Sequence, residues 1–269
     1  MPKTQRPRRA AAVAAAASFV AAAAAQPVHI DFDTDANGNA LVAGSGFDGS
    51  TVYSGVGVII SVDSPRNSPL NLFDTQNPTG GDQDLATGPA FGTEPLGNVL
   101  IIQELRNNPI STPDDDAAGG TVTFEFTRDE GAELLEIALL DLDENVDPVF
   151  TIESVAGQTT VLDRPAAALV NPSHPDDNSL RTFDLTQLDP ARSISIQFPG
   201  VSGAIASLSY AHAGDVPTPG SAALMLTGAA LVTRRRGGRR TERDPLARSA
   251  ARGTPASKHT AREVNGTRS

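Results

Sequence analysis

Thr121-Val122-Thr123-Phe124-Glu125-Phe126-Thr127 places an apolar side chain at every second position, and Ser193-Ile194-Ser195-Ile196-Gln197-Phe198 does the same. Successive side chains of a strand point to opposite faces, so this alternation describes strands with one buried and one wet face. Working outward, further strands are expected at 28–33, 52–62, 98–103, 134–141, 149–155, 180–185 and 204–210. Turn formers separate them, including Asn37-Gly38, Asn77-Pro78, Gly80-Gly81, Gly119-Gly120, Gly157 and Pro199-Gly200. Nine short strands in one span predict an all-β fold, an antiparallel two-sheet β-sandwich of jelly-roll type over 26–215. A short helix near 130–136 competes, because Glu130, Ala132, Glu133, Leu134, Leu135 and Glu136 are good helix formers.

The composition limits how such a domain is held together. With ten Phe, two Tyr, no Trp and no Cys, the core must be aliphatic, and disulfides, thiolate metal sites and a Cys nucleophile are excluded. The net charge of -11 conceals an uneven distribution. Residues 26–220 carry 29 Asp and Glu against six Arg and no Lys, whereas 234–269 carry eleven basic residues against three acidic ones. A domain that acidic repels nucleic acid and anionic lipid and attracts divalent cations.

Both ends differ from the middle. Lys3, Arg6, Arg8 and Arg9 precede an apolar run over 10–25 that ends Ala23-Ala24-Ala25. This is the layout of a secretory signal peptide over 1–25, and the sixteen residues of the run, interrupted only by Ser18, reach about 24 Å as a helix, short of a bilayer core of roughly 30 Å. Near the other end, Pro217-Thr218-Pro219-Gly220 leads into a short apolar helix candidate and then Arg234-Arg235-Arg236. Prolines break the preceding strand, and the arginines hold the cytoplasmic side of a transient membrane anchor. The remaining segment, 237–269, is basic and lacks hydrophobic periodicity, so disorder is expected.

The order Pro-x-Pro, apolar run, arginine cluster over 216–236 resembles the PEP-CTERM sorting signal of bacterial surface proteins. The resemblance implies removal of the signal by signal peptidase, processing near Pro217 and Pro219 by an exosortase-like sorting enzyme, and release to the cell envelope or exopolysaccharide matrix. Ile30-Asp31-Phe32-Asp33, Asn77-Pro78-Thr79-Gly80-Gly81-Asp82 and Ser202-Gly203-Ala204-Ile205 are similar to segments of the sandwich domain often coupled to this signal, which implies a fold and no chemistry.

Candidate chemistry is confined to the acids. Asp31, Asp33, Asp35 and Asn37 alternate ahead of Gly38, as in the first half of a Ca²⁺ loop, although Gly44 stands where a bidentate Glu would close it. Asp141, Asp143, Asn145 and Asp147 repeat the spacing after a strand, and Asp74, Asp82 and Asp84 form a third group. The long loops 64–96 and 107–120, the latter containing Asp114-Asp115-Asp116, are the expected location of any binding site. His29, His174, His212 and His259 are scattered, and neither His-Glu-x-x-His nor Gly-x-Ser-x-Gly occurs, so zinc and serine hydrolase templates fail.

The expectation is therefore a non-catalytic secreted or cell-surface protein with a structural or adhesive role, binding Ca²⁺ and associating with exopolysaccharide or another glycan. The alternative is a Ca²⁺-dependent carbohydrate-binding module. Intact-mass measurement of the product recovered from the bacterial envelope should give a chain beginning at Gln26; a cytosolic product that keeps residues 1–25 contradicts export.

Overall fold

The computed structural model describes residues 26–215 apart from 107, 143–146, 164 and 176. The segments 1–25, 216–236 and 237–269, with Pro217, Pro219, Gly220 and Arg234 to Arg236, lie outside the described residues, as do Asp143 and Asn145. Twelve strands follow in order: β1 (Val28–Ile30), β2 (Val58–Asp63), β3 (Leu70–Asp74), β4 (Asn98–Ile102), β5 (Gly119–Phe126), β6 (Ala132–Leu140), β7 (Val149–Ser154), β8 (Thr159–Asp163), β9 (Ala168–Leu169), β10 (Leu180–Asp184), β11 (Ala191–Pro199) and β12 (Ala204–His212). Helical structure among the described residues is limited to four three-residue 3-10 turns.

All pairings are antiparallel, within a network ordered β2-β5-β11-β6-β12-β4-β3. The β11–β6 link is a single pair, Ala191 with Ala132. On one side of it lie β2, β5, β11, β7 and β8; on the other lie β6, β12, β10 and β9, with β1 and β4 on β12 and β3 on β4. The sequence alternation maps directly onto the register. Val122 faces Ile196 and Val62, and Phe124 faces Ile194 and Ile60 across adjacent ladders. Each of these except partly buried Val62 is buried, while Glu125 and Gln197 are exposed.

One core cluster draws side chains from both sides of the β11–β6 link. Phe126 packs on Tyr210 with ring centroids 5.0 Å apart, and Phe150 meets Phe183 edge to face, also at 5.0 Å. Such aromatic contacts add to the area they bury. The Tyr210 hydroxyl donates to the Val56 carbonyl at 2.6 Å, and the Tyr53 hydroxyl to that of Thr34 at 2.9 Å. Both tyrosines thus pin the long excursion between β1 and β2 onto the core.

Three departures from sequence expectation have physical causes. The competing helix near 130–136 is strand: β6 is hydrogen-bonded by β12 on one edge and β10 on the other, and these ladders override helix propensity. The loop expected over 64–96 contains β3, where fully buried Asn71 interrupts the apolar pattern. Its amide nitrogen donates to Gln103 Oε1 (2.7 Å) and the Ile110 carbonyl (2.9 Å). The span 52–62 breaks at Gly57, in left-handed conformation, after a 3-10 turn at Ser54–Val56. Replacing fully buried Phe124 by Ala should cost about 3–5 kcal/mol, whereas Glu125→Ala, on the wet face of the same strand, should change stability by less than about 0.5 kcal/mol; urea unfolding distinguishes them.

Candidate metal centre

Among the described residues, one group of three metal-ligating side chains converges: Asp82, Asp114 and Asp115, each with a carboxylate oxygen within 4.8 Å of the others. They come from the two long loops favoured above. Thr79 Oγ1 donates to the Pro113 carbonyl at 2.8 Å, fastening the first loop to the second. Gly80 follows at φ 69°, where a Cβ would lie 2.6 Å from the Asp114 side chain, so conformation and space both require glycine. Asp115 pairs with Gln103 in an isolated bridge that continues the line of β4, and its backbone N–H donates to Asp82 Oδ2 at 2.8 Å. Gly203 N–H donates to Asp115 Oδ2 at 2.7 Å, and the Asn108 amide donates to Asp114. The segments 77–82 and 202–205, both noted above, thus meet at Asp115.

The neighbouring Asp116 plays a different role. Its carboxylate takes Arg66 at 2.6 Å, the Ser68 hydroxyl at 2.7 Å and the Ala118 N–H at 2.9 Å. This ion pair, between buried Asp116 and exposed Arg66, ties β3's entry to the second loop, and Arg66 also reaches Glu104 at 3.7 Å. Asp114 and Asp115 are buried and Asp82 partly so. Burial, then the charge of Asp115, pushes the Asp82 carboxyl up to about 8; burial is likewise the largest cause raising Asp115 to about 7, with Asp84 and Asp114 adding to it. Closely packed buried carboxylates cannot all ionise without a compensating positive charge, so the pair holds on to a proton near neutral pH unless a cation replaces it. The donors are all oxygen, which suits hard cations such as Ca²⁺, Mg²⁺ or Mn²⁺.

The other sequence candidates are engaged in local structure. Asp31 accepts the Asp33 N–H (3.1 Å), and Asp33 reaches across to the Asn98 N–H (2.8 Å), fixing the loop after β1 to the start of β4. Asp35 accepts the N–H groups of Asn37 (2.8 Å) and Asn39 (2.9 Å) and the Asn39 amide (2.8 Å). The Asn39 side chain is the largest cause holding its carboxyl below the usual range. Asn37 is exposed in that turn. Asp74 closes a turn through Gln76 N–H and the Asn77 amide. Asp141 is buried at φ 58° and accepts the Asn178 N–H at 3.3 Å; Asp147 lies just before β7. The described histidines have separate surroundings, His29 bonding Ser209, His174 packing on Phe91 and His212 on Tyr210, and His259 lies outside the described residues.

No protein-family model and no curated protein matches the chain. No helix among the described residues is long and apolar enough to cross a membrane.

The pH dependence of the metal-free protein follows from the raised carboxyls. Both folded-state values lie above the unfolded carboxylate value of about 3.9, so their contribution is complete below that value and is lost as pH rises through about 7 to 8. In chelator, Asp82→Asn, which mimics the protonated form, should narrow the drop in thermal midpoint between pH 6 and pH 8.5 relative to wild type. Parallel curves for the two proteins would count against a shared proton at this site.

Proposed function

We propose that this chain is a non-catalytic exported protein of a bacterial envelope or exopolysaccharide matrix, whose domain is an antiparallel β-sandwich with loops stapled by a divalent cation, Ca²⁺ first among candidates. The convergence of Asp82, Asp114 and Asp115 from separate loops carries the metal reading. A cation there would replace the shared proton and join 79–82 to 113–116, adding to the Thr79 link. Ca²⁺ takes six to eight oxygens and Mg²⁺ keeps several waters, so three carboxylates form part of a shell that water completes.

The sandwich reading is supported by the single-pair joint at Ala191 and Ala132 and by aromatic contacts between the two groups of ladders, which stack their apolar faces on a common core. Export and sorting rest on the sequences of 1–25 and 216–236. The acidic surface keeps the exported domain soluble and lets it associate with anionic polysaccharide through bridging cations. Scarce aromatics leave few stacking platforms for sugar rings, which favours the structural or adhesive role over a carbohydrate-binding module. A module would bind one glycan saturably; a matrix protein binds many weakly and with strong salt dependence.

Thermal unfolding in millimolar Ca²⁺ and in chelator tests the centre. At a hundredfold excess over Kd a site confined to the folded state adds about 2.7 kcal/mol, or roughly 5–10 °C for a domain of this size. Asp82→Asn should abolish most of that rise. Identical midpoints for the wild-type protein in Ca²⁺, Mg²⁺, Mn²⁺ and chelator would remove the metal from the proposal.

A further inference from the structure

Five strands have a neighbour on one side only: β1, β2, β3, β8 and β9. Unpaired edges are templates for further strands, and proteins block them with covering segments, charges, prolines or bulges. Here the 33–56 excursion covers two. Ile60 N–H on β2 donates to the Gly49 carbonyl at 2.8 Å, so closely that a Cβ on Gly49 would lie 2.1 Å from the Ile60 carbonyl oxygen. Gly44 N–H donates to the Leu72 carbonyl on β3 at 3.2 Å. β1 and β9 offer only three and two residues.

β8 is different. Its five residues pair with β7 in unbroken register, and no described segment hydrogen-bonds its other side. Thr159, Thr160, Val161 and Asp163 are exposed, with Val161 at 58%, and the strand carries no Lys, Pro or bulge. Leu162 packs only partly against the core. Another exposed apolar side chain, Val170 at 46%, directly follows β9, the next strand in the chain and the edge of the other group of ladders.

We infer that the β8 edge is a self-association surface, at which a second copy of this chain adds its own β8 antiparallel and continues the sheet across a two-fold axis. The sequence is self-complementary in one register. With Val161 opposite Val161 of the second copy, Thr159 lies opposite Asp163 and Thr160 opposite Leu162. No like charges face each other, the exposed valines bury one another, and Leu162 gains cover on the core side. Shifting the pairing by two residues in the C-terminal direction sets Leu162 against Leu162 but puts exposed Val161 against the Asp163 carboxylate, and two more bring Asp163 face to face with its copy. Gly157 before the strand and Pro165 after it limit the contact to this short segment. So small an edge falls below the roughly 1,200–2,000 Å² of a stable interface, so the association is weak and concentration-dependent. The acidic domains repel at long range, hence salt strengthens it.

The absence of native cysteine makes the test clean. In the full chain, Val161→Cys should form a disulfide-linked dimer about tenfold or more faster than Val42→Cys, a control in the 33–56 excursion that is slightly more exposed, because pairing raises the local thiol concentration. Sedimentation equilibrium of the wild-type chain should show mass rising with concentration and with salt from about 0.05 to 0.5 M. Val161→Lys, at an exposed position that leaves folding intact by circular dichroism, should return it to monomer. Equal cross-linking rates, or self-association unaffected by Val161→Lys, or a wild-type protein that stays monomeric throughout, would overturn the inference. Metal binding at Asp82 is unaffected by Val161→Lys, so the two proposals fail separately.

Discussion

Apolar side chains at every second position, without disulfides or tryptophan and, among the described residues, without long helices, hold this domain together. The consequence is visible along β11, whose Ile194 and Ile196 sit between Phe124 and Val122 of β5 on one side and Ile152 and Phe150 of β7 on the other. Cross-strand rows of this kind are the unit of sheet stability, and a slip of one residue would send the whole row to the wet face. The register is therefore strongly specified, and the long irregular segments are positioned by where the strands leave them. Tyr53 and Tyr210 extend that control outward. Each is buried as a ring and spends its hydroxyl on a carbonyl of the 33–56 excursion, so the core anchors the loop that blocks two sheet edges.

The acids then build the loops. Asp31, Asp35, Asp48, Asp74, Asp116 and Asp184 each accept the N–H two residues ahead, the local turn in which a short carboxylate replaces a backbone acceptor. For Asp48 and Asp184 the nearby hydroxyls, Ser50 and Thr186 first, hold the carboxyl below its usual range. These six acids are thus satisfied locally by backbone and side-chain donors. Asp82 and Asp115 differ because their partners include other carboxylates and they are withdrawn from water, which drives their proton affinity upward.

This distinction also explains what could be read from the sequence. Alternation over 121–127 and 193–198, and apolar stretches bounded by turn formers elsewhere, located nine of the twelve strands, because the hydrophobic pattern and the fold share one cause. The reading passed over β3, where buried Asn71 relies on Gln103 for a partner 32 residues away, β8, whose exposed edge carries no buried stripe, and β9, which is only two residues long. Alternating acids such as Asp31, Asp33 and Asp35 look alike whether they ligate an ion or close turns, since both uses need a carboxylate every second residue. Asp82 was visible as part of an acidic group with Asp74 and Asp84, yet its companions Asp114 and Asp115 are more than 30 residues away and joined to it only by long-range pairing. The loop lengths pointed to the right region; the convergence itself depends on the bridge of Gln103 with Asp115 and the N–H of Gly203, neither of which leaves a mark in local sequence.

The blocked and open edges belong to the same economy of parts. The excursion after β1 is long because it must cross β2 and β3 and return, and the contacts at Gly49 and Gly44 use backbone alone, which needs glycine where it approaches most closely. Among the described residues no comparable segment runs beside β8: the chain turns at Gly157, makes five residues of strand and moves on through Pro165 to β9. The connection between β8 and β9, 164–167, is too short to fold back along the strand. The open edge is therefore a property of the connection lengths, and the same short crossover that carries the chain from one group of ladders to the other leaves β8 as the place where this fold can be extended.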